Sequence, residues 1–146
     1  MTVRNFIKTD YEKFLEYCDK FYNSGAALCA VDGNNFKKTF DAVLEKTAGL
    51  EGFIIEKNKE IAGYCLVNFF WSSEAGGVVG MIDEFFVDEK FRGQGLGKKF
   101  LSYLFDKYKN IAAFRLEVCD SNKGAIKLYK SYGFDYLDYK QMIKKM

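Results

Sequence analysis

Histidine and proline are both absent from this chain of 146 residues. Without an imidazole there can be no Ser-His-Asp triad, no Cys–His nucleophile and no histidine metal ligand. Proton transfer must then come from Asp, Glu, Tyr, Lys, Cys or water. Without proline, every turn must be made by Gly, Asn, Asp or Ser. The four cysteines, Cys18, Cys29, Cys65 and Cys119, are widely spaced and form no C-x-x-C pair. That weighs against zinc, and no metal is expected. The spacing suits buried free thiols in a reducing cytosol.

An excess of one charge is missing too: 22 Lys and Arg against 20 Asp and Glu leave +2. No Lys/Arg block forms an electrostatic footprint, so nucleic acid is not expected as a partner. The lysines of the segment 140–146 read as a solvated strand edge. No apolar run reaches about 18 residues, and the first eight residues lack the apolar core of a signal peptide. The expectation is a soluble, cytoplasmic protein with no membrane partner.

What is plentiful is aromatic: 15 Phe and 10 Tyr, read as a Phe-rich core. At this length one domain over residues 1–146 is expected. Residues 3–7 form a short strand candidate. Thr9 and Glu12 have capping-box spacing before a helix with Phe14, Leu15, Cys18 and Phe21 on one face. Phe36, Phe40, Val43 and Leu44 mark a second helix that ends near Gly49. Phe53 to Ile55, a turn at 57–60, and Ile61 to Trp71 read as a hairpin. Val78 to Val87 returns as a third antiparallel strand. A helix follows over Leu96 to Tyr108, then a strand over Ala113 to Cys119. Ser121 and Asn122 cap a last helix, which Gly133 stops. Residues 134–136 and 139–143 are closing strand candidates. The order is strand, helix, helix, three strands, helix, strand, helix, two strands. That is a mixed α+β architecture.

The most informative stretch runs from Met81 to Leu101. A strand carrying Asp83 and Glu84 leads through Phe85, Phe86 and Val87 to a loop, Arg92-Gly93-Gln94-Gly95-Leu96-Gly97, at the start of a helix. Glycines and a cation at a helix start suit a phosphate ester, held by backbone N–H groups and the helix dipole. The spacing is not a Walker A loop, because Gly97 and Lys98 are followed by Lys99 instead of Ser or Thr. Nor is it G-x-G-x-x-G, because Lys98 stands at the third glycine position. Acids beside a phosphate cradle point to transfer chemistry on a phosphate-bearing cosubstrate.

The pattern Arg92-x-x-Gly95-x-Gly97, after a strand that ends Phe85-Phe-Val87, resembles the acetyl-CoA loop of the GNAT superfamily of N-acetyltransferases. Downstream, Val118-Cys-Asp-Ser-Asn122-x-x-Ala125-x-x-x-Tyr129-x-x-x-Gly133-Phe134 resembles that family's second block, in the same order. Within the superfamily, Gly63 through Val87 is most similar to the diamine (spermidine) acetyltransferase branch. That branch usually has Glu-Asp where this chain has Asp83-Glu84.

The resemblance implies a GNAT-like fold: a twisted, mostly antiparallel sheet of about six to seven strands flanked by about four helices. It implies an enzyme that moves an acetyl group from acetyl-CoA directly to a primary amine, such as a polyamine, in a ternary complex. Backbone groups from Gly93 through Gln94, Gly95, Leu96 and Gly97 to Lys98 would cradle the pyrophosphate, with a contact from Arg92. Lys98 reads equally as a solvated first helical turn. The pantetheine arm would lie along Phe85, Phe86 and Val87, and Asn122 would bond its amides. Tyr129 would protonate the departing thiolate.

Asp83 and Glu84 are both candidate bases for the acceptor amine. Adjacent strand residues face opposite ways, so one of them lines the cleft unless a bulge re-aims the strand. Residues 26–31 and 71–77, with Arg115 and Glu117, are candidate walls of the acceptor pocket. Homodimers are common in the family, so a second copy is a candidate partner. Two other readings stay open: an acyl-CoA-binding module without catalysis, and transfer to a protein or peptide amine.

Overall fold

Asn58 and Lys59 both adopt positive φ, 52° and 67°. Two such residues in a row make the tight turn whose twist matches paired strands. They join β2 (Leu50–Lys57) to β3 (Glu60–Ser72), and β4 (Gly77–Val87) folds back on β3. The structure, a computed structural model, describes residues 1–25 and 31–146. The apolar residues 26–30, read above as pocket wall, lie outside the described residues.

Among the described residues the sheet has five strands in the order β1-β2-β3-β4-β5, with β1 at Thr2–Asn5 and β5 at Ala113–Leu116, and of its pairs only β4–β5 is parallel. Side chains alternate between the two faces, as a pleated strand requires. Ile54, Tyr64 and Leu66 face α1 (Tyr11–Asn23) and α2 (Gly33–Leu44), packing with Phe14, Cys18, Phe40 and Val43. Phe53, Ile55, Cys65 and Val67 face the other way. They pack with Phe100, Leu101 and Leu104 of α3 (Leu96–Lys107) and with Tyr129 of α4 (Lys123–Lys130). The mixed α+β class and the helix count match the GNAT-like expectation.

Two local expectations change. The Thr9–Glu12 capping box does not form, because Thr9 lies inside a 3-10 turn over Lys8–Asp10 and Asp10 stands at the N-cap of α1. The carboxylate of Asp10 is buried and accepts both Arg4 guanidinium nitrogens, at 2.7 and 2.8 Å, and the Ile7 N–H at 2.8 Å. A two-pronged charged contact is stronger than one bond to a helix N–H.

The strand count also falls short of six to seven, since residues 134–136 and 139–143 pair with no strand. That segment is held by side chains instead. Phe134 packs on Tyr129, the Tyr139 hydroxyl donates to Glu74 at 3.2 Å, and Gln141 donates to Glu117. β5 is four residues long and offers a short ladder to any closing strand.

Candidate active site

Along β4, Ile82 and Phe85 are three residues apart, yet both pack on the α3/α4 side. Strict alternation would put them on opposite faces. The register explains it: Leu66 pairs with Glu84 and Val67 pairs with Ile82, so Asp83 is an extra residue in a β-bulge. The bulge turns both acids toward the α1/α2 side. Asp83 accepts from Asn68 at 3.3 Å, and Glu84 accepts from Tyr64 at 2.5 Å. Asn68, Leu66 and Tyr64 alternate along that face of β3.

The same bulge marks where the sheet parts. β4 pairs with β5 from Val79 to Ile82 and no further, whereas β3 follows β4 as far as Val87. The edge of Asp83–Val87 that faces away from β3 is therefore unpaired within the sheet. Past Leu116, the chain leaves β5 and runs to α4. A cleft opens between the two diverging segments. Its walls include Phe21, Asp83, Phe85, Glu117, Asn122 and Tyr129.

The polar groups of the cleft differ in environment. Asp83 is exposed at its rim, and its carboxyl is held above the ordinary value. Partial burial is the main cause, Glu117 adds like-charge repulsion, and the bond from Asn68 opposes both. Glu84 is only 8% exposed, and burial raises its carboxyl against hydrogen bonds from Tyr22 and Tyr64. Tyr129 is 9% exposed, and burial pushes its phenol up. No protein acceptor takes its hydroxyl among the described residues. Asn122 caps α4 by accepting from the Ala125 N–H at 3.2 Å while its side chain lines the cleft. Capping and lining are both met by one residue.

At the other end of β4, Asp88 starts a short 3-10 turn over Glu89–Phe91, and the glycine loop follows. Gly93 and Gly95 have φ of 72° and 75°, which an L-residue rarely adopts. Gly97 answers a different need, since a Cβ there would lie 3.1 Å from Leu128 of α4. The first bond of α3 runs from the Lys99 N–H to the Gly95 carbonyl at 3.0 Å. The N–H groups of Leu96, Gly97 and Lys98 therefore precede the helix ladder and are left to an outside acceptor. They suit an anion, so the loop fits a pyrophosphate.

The side chains of the loop are occupied otherwise. Arg92 Nε donates to the Val87 carbonyl at 2.9 Å, its guanidinium pairs with Glu89 at 3.3 Å, and it sits over the Phe86 ring. Gln94 donates to the Lys90 carbonyl at 3.0 Å and accepts from Lys57. Leu96 is buried with Ala62 and Phe91. Lys98 is exposed, as a first helical turn allows.

Of the expected pocket walls, Glu117 lines the cleft. Arg115 instead pairs with Glu74 at 3.2 Å, and Trp71 is 69% exposed beside the β3–β4 turn. Sequence reading missed Phe21, Tyr22 and Tyr64. Each is one aromatic among 26 on a core-facing pattern, and no spacing singles it out. Cys18 and Cys65 are buried free thiols, and burial raises both, Cys18 to about 12. Neither suits a nucleophile at neutral pH.

The fold and the loop–cleft arrangement define an acetyltransferase domain, and the chain belongs to the acetyltransferase (GNAT) family, whose model matches residues 11–134. It is 31% identical over 137 residues to an uncharacterized N-acetyltransferase of Methanocaldococcus jannaschii, covering 92% of this chain and 60% of that protein. It is 31% identical over 99 residues to the spermine/spermidine N(1)-acetyltransferase of Bacillus subtilis, covering 60% of this chain and 64% of the relative. The matched part thus spans less than two thirds of either relative. Among solved structures, a possible acetyltransferase from Clostridium difficile 630 superposes with a TM-score of 0.78 at 20% identity, over 99% of this chain and 97% of that one. That likeness concerns the fold.

Proposed function

We propose that this protein transfers the acetyl group of acetyl-CoA directly to the primary amine of a small molecule, within a ternary complex. The observation that carries the reading is the parting of β4 from β5 at the bulge, with Asp83, Asn122 and Tyr129 lining the gap and the glycine loop at the far end of β4. When bound, acetyl-CoA supplies an activated thioester carbonyl. The N–H groups of Leu96, Gly97 and Lys98, reached past Gly93 and Gly95, would hold its pyrophosphate. The unpaired edge of Asp83–Val87 and the Asn122 side chain would take the amides of its arm. Arg92 supports the loop from behind by tying it to Val87.

Asp83 acts as the base. An alkylamine is mostly protonated at neutral pH, so it must lose a proton to attack. Asp83, directly or through water, takes that proton first, which frees the lone pair that forms the C–N bond. Tyr129 gives its proton to the sulfur as the C–S bond breaks, and the second N–H proton of the adduct restores the phenol, leaving the neutral amide. A phenol is protonated at neutral pH and so has a proton to give as the thiolate, with an ordinary pKa near 8.5, develops. Rim carboxylates at Asp83 and Glu117 favour a cationic acceptor, and the Bacillus subtilis relative is named for polyamines.

The test is acetyl-CoA-dependent product formation on a panel of polyamines, diamino acids, aminoglycosides and short peptides, read by mass spectrometry. Acetylation of a small amine is the expected result. Acetylation of peptides alone would replace the acceptor. Tight acetyl-CoA binding without any product would leave a binding module.

A further inference from the structure

Asp10 and Glu84 are the buried carboxylates among the described residues, and they are satisfied in opposite ways. Asp10 has the Arg4 guanidinium. Glu84 has no cation; two phenols answer it, Tyr22 on Oε1 at 2.6 Å and Tyr64 on Oε2 at 2.5 Å. Its neighbours on that face of the sheet, Leu66 and Phe86, are apolar core residues. A buried carboxylate without a counter-charge costs stability that an apolar residue would not. An ionisable group kept under those conditions is a candidate for a functional role.

The geometry shows what it joins. Glu84 is the β4 residue next to the bulged Asp83. Tyr22 lies in the last turn of α1, where helices fray. Its ring stacks on Phe36 of α2, with centroids 5.4 Å apart and 25° between planes. The residue before it, Phe21, meets the Tyr22 ring edge-on and lines the cleft with Asp83. One hydrogen bond therefore ties the end of α1 to the bulge, and the two elements it ties each contribute a wall of the cleft.

We propose that Tyr22 and Glu84 form a latch that fixes Phe21 against the bulge presenting Asp83, and so sets the affinity for the amine acceptor. Both are positioning residues, acting through Phe21 and Asp83. The inference rests on the acetyl-transfer reading above for its kinetic consequence, but not for its structural one.

Two measurements test it. Tyr22→Phe removes one oxygen and keeps the ring. Backbone amides of residues 82–85 are expected to exchange with deuterium several-fold faster in this variant. The KM for spermidine is expected to rise about tenfold, the worth of one hydrogen bond to a charged group, with the KM for acetyl-CoA within about twofold. A purely structural role would lower the active fraction, which scales kcat and leaves KM alone.

Glu84→Gln and the double variant complete a cycle. If the latch exists, the double variant's KM for spermidine stays near that of the worse single variant. Independent, multiplying effects on KM would overturn the latch, as would unchanged exchange at the bulge. A wild-type protein that acetylates no amine would defeat the acetyl-transfer reading, and the exchange measurement would still decide the latch.

Discussion

Tyr129 and Asp83 are the proposed acid and base, Glu84 is proposed to position Asp83, and each makes a separate demand. Tyr129→Phe is expected to lower kcat by about 10²–10⁴ while the Kd for acetyl-CoA stays unchanged, as for loss of a general acid. Stopped-flow turnover with equilibrium binding of acetyl-CoA checks this; an unchanged kcat would remove Tyr129 from that role. Asp83 must be ionised to accept a proton. Because its carboxyl lies above the ordinary value, kcat/KM should fall as pH drops through that raised pKa. Asp83→Asn should lower kcat and abolish that acid limb.

Glu84 gives a stability test. Its folded pKa is raised above its unfolded value. Its contribution is therefore full below the unfolded pKa and is lost as pH rises through the folded one. Glu84→Gln does not titrate, so its stability relative to wild type should improve from pH 5 to pH 8 in urea unfolding. A relative stability that worsened over that range would contradict the shift. Both acids are visible in the sequence, and so is their rivalry. Their arrangement is not, because it depends on one extra residue in the β3–β4 register, which alternation cannot reveal.

At the scale of elements, the glycine loop and the bulge are built by backbone rules. Gly95→Ala forces a Cβ at φ of 75° into open space, so its cost is conformational, about 1–2 kcal/mol. It should lower the melting temperature and weaken acetyl-CoA binding together. Gly63 is the opposite case. A Cβ there would lie 2.2 Å from the Phe86 carbonyl, so Gly63→Ala must push β3 from β4 beside the site. The expected cost is about 3 kcal/mol or more by denaturant unfolding. A cost under 1 kcal/mol would mean that the strands can separate locally.

The helices and strands β2 to β4 were legible because their hydrophobic periods are long and clean. The glycine loop was legible because positive φ and close packing leave a residue-level mark. The closing strands were misread: Tyr136 and Tyr139 fit a strand pattern, but they end on Lys130 and Glu74 instead of in a ladder. Polar side-chain clasps of that kind leave no period.

For the whole molecule, the sheet is a scaffold with one planned gap. Two apolar layers hold β1 to β4 firmly, and the parallel β5 departs once it has paired four residues. The proposed site lies where pairing stops, between helices that pack on opposite faces. The sequence could mark the two blocks that border the gap, but their meeting is a property of the strand order. The most direct measurement is a crystal structure with CoA bound. The pyrophosphate is expected on the N–H groups of residues 96–98, and the arm along Asp83–Val87 with its sulfur beside Tyr129. CoA lying elsewhere, with the gap between β4 and β5 left to solvent, would contradict that placement.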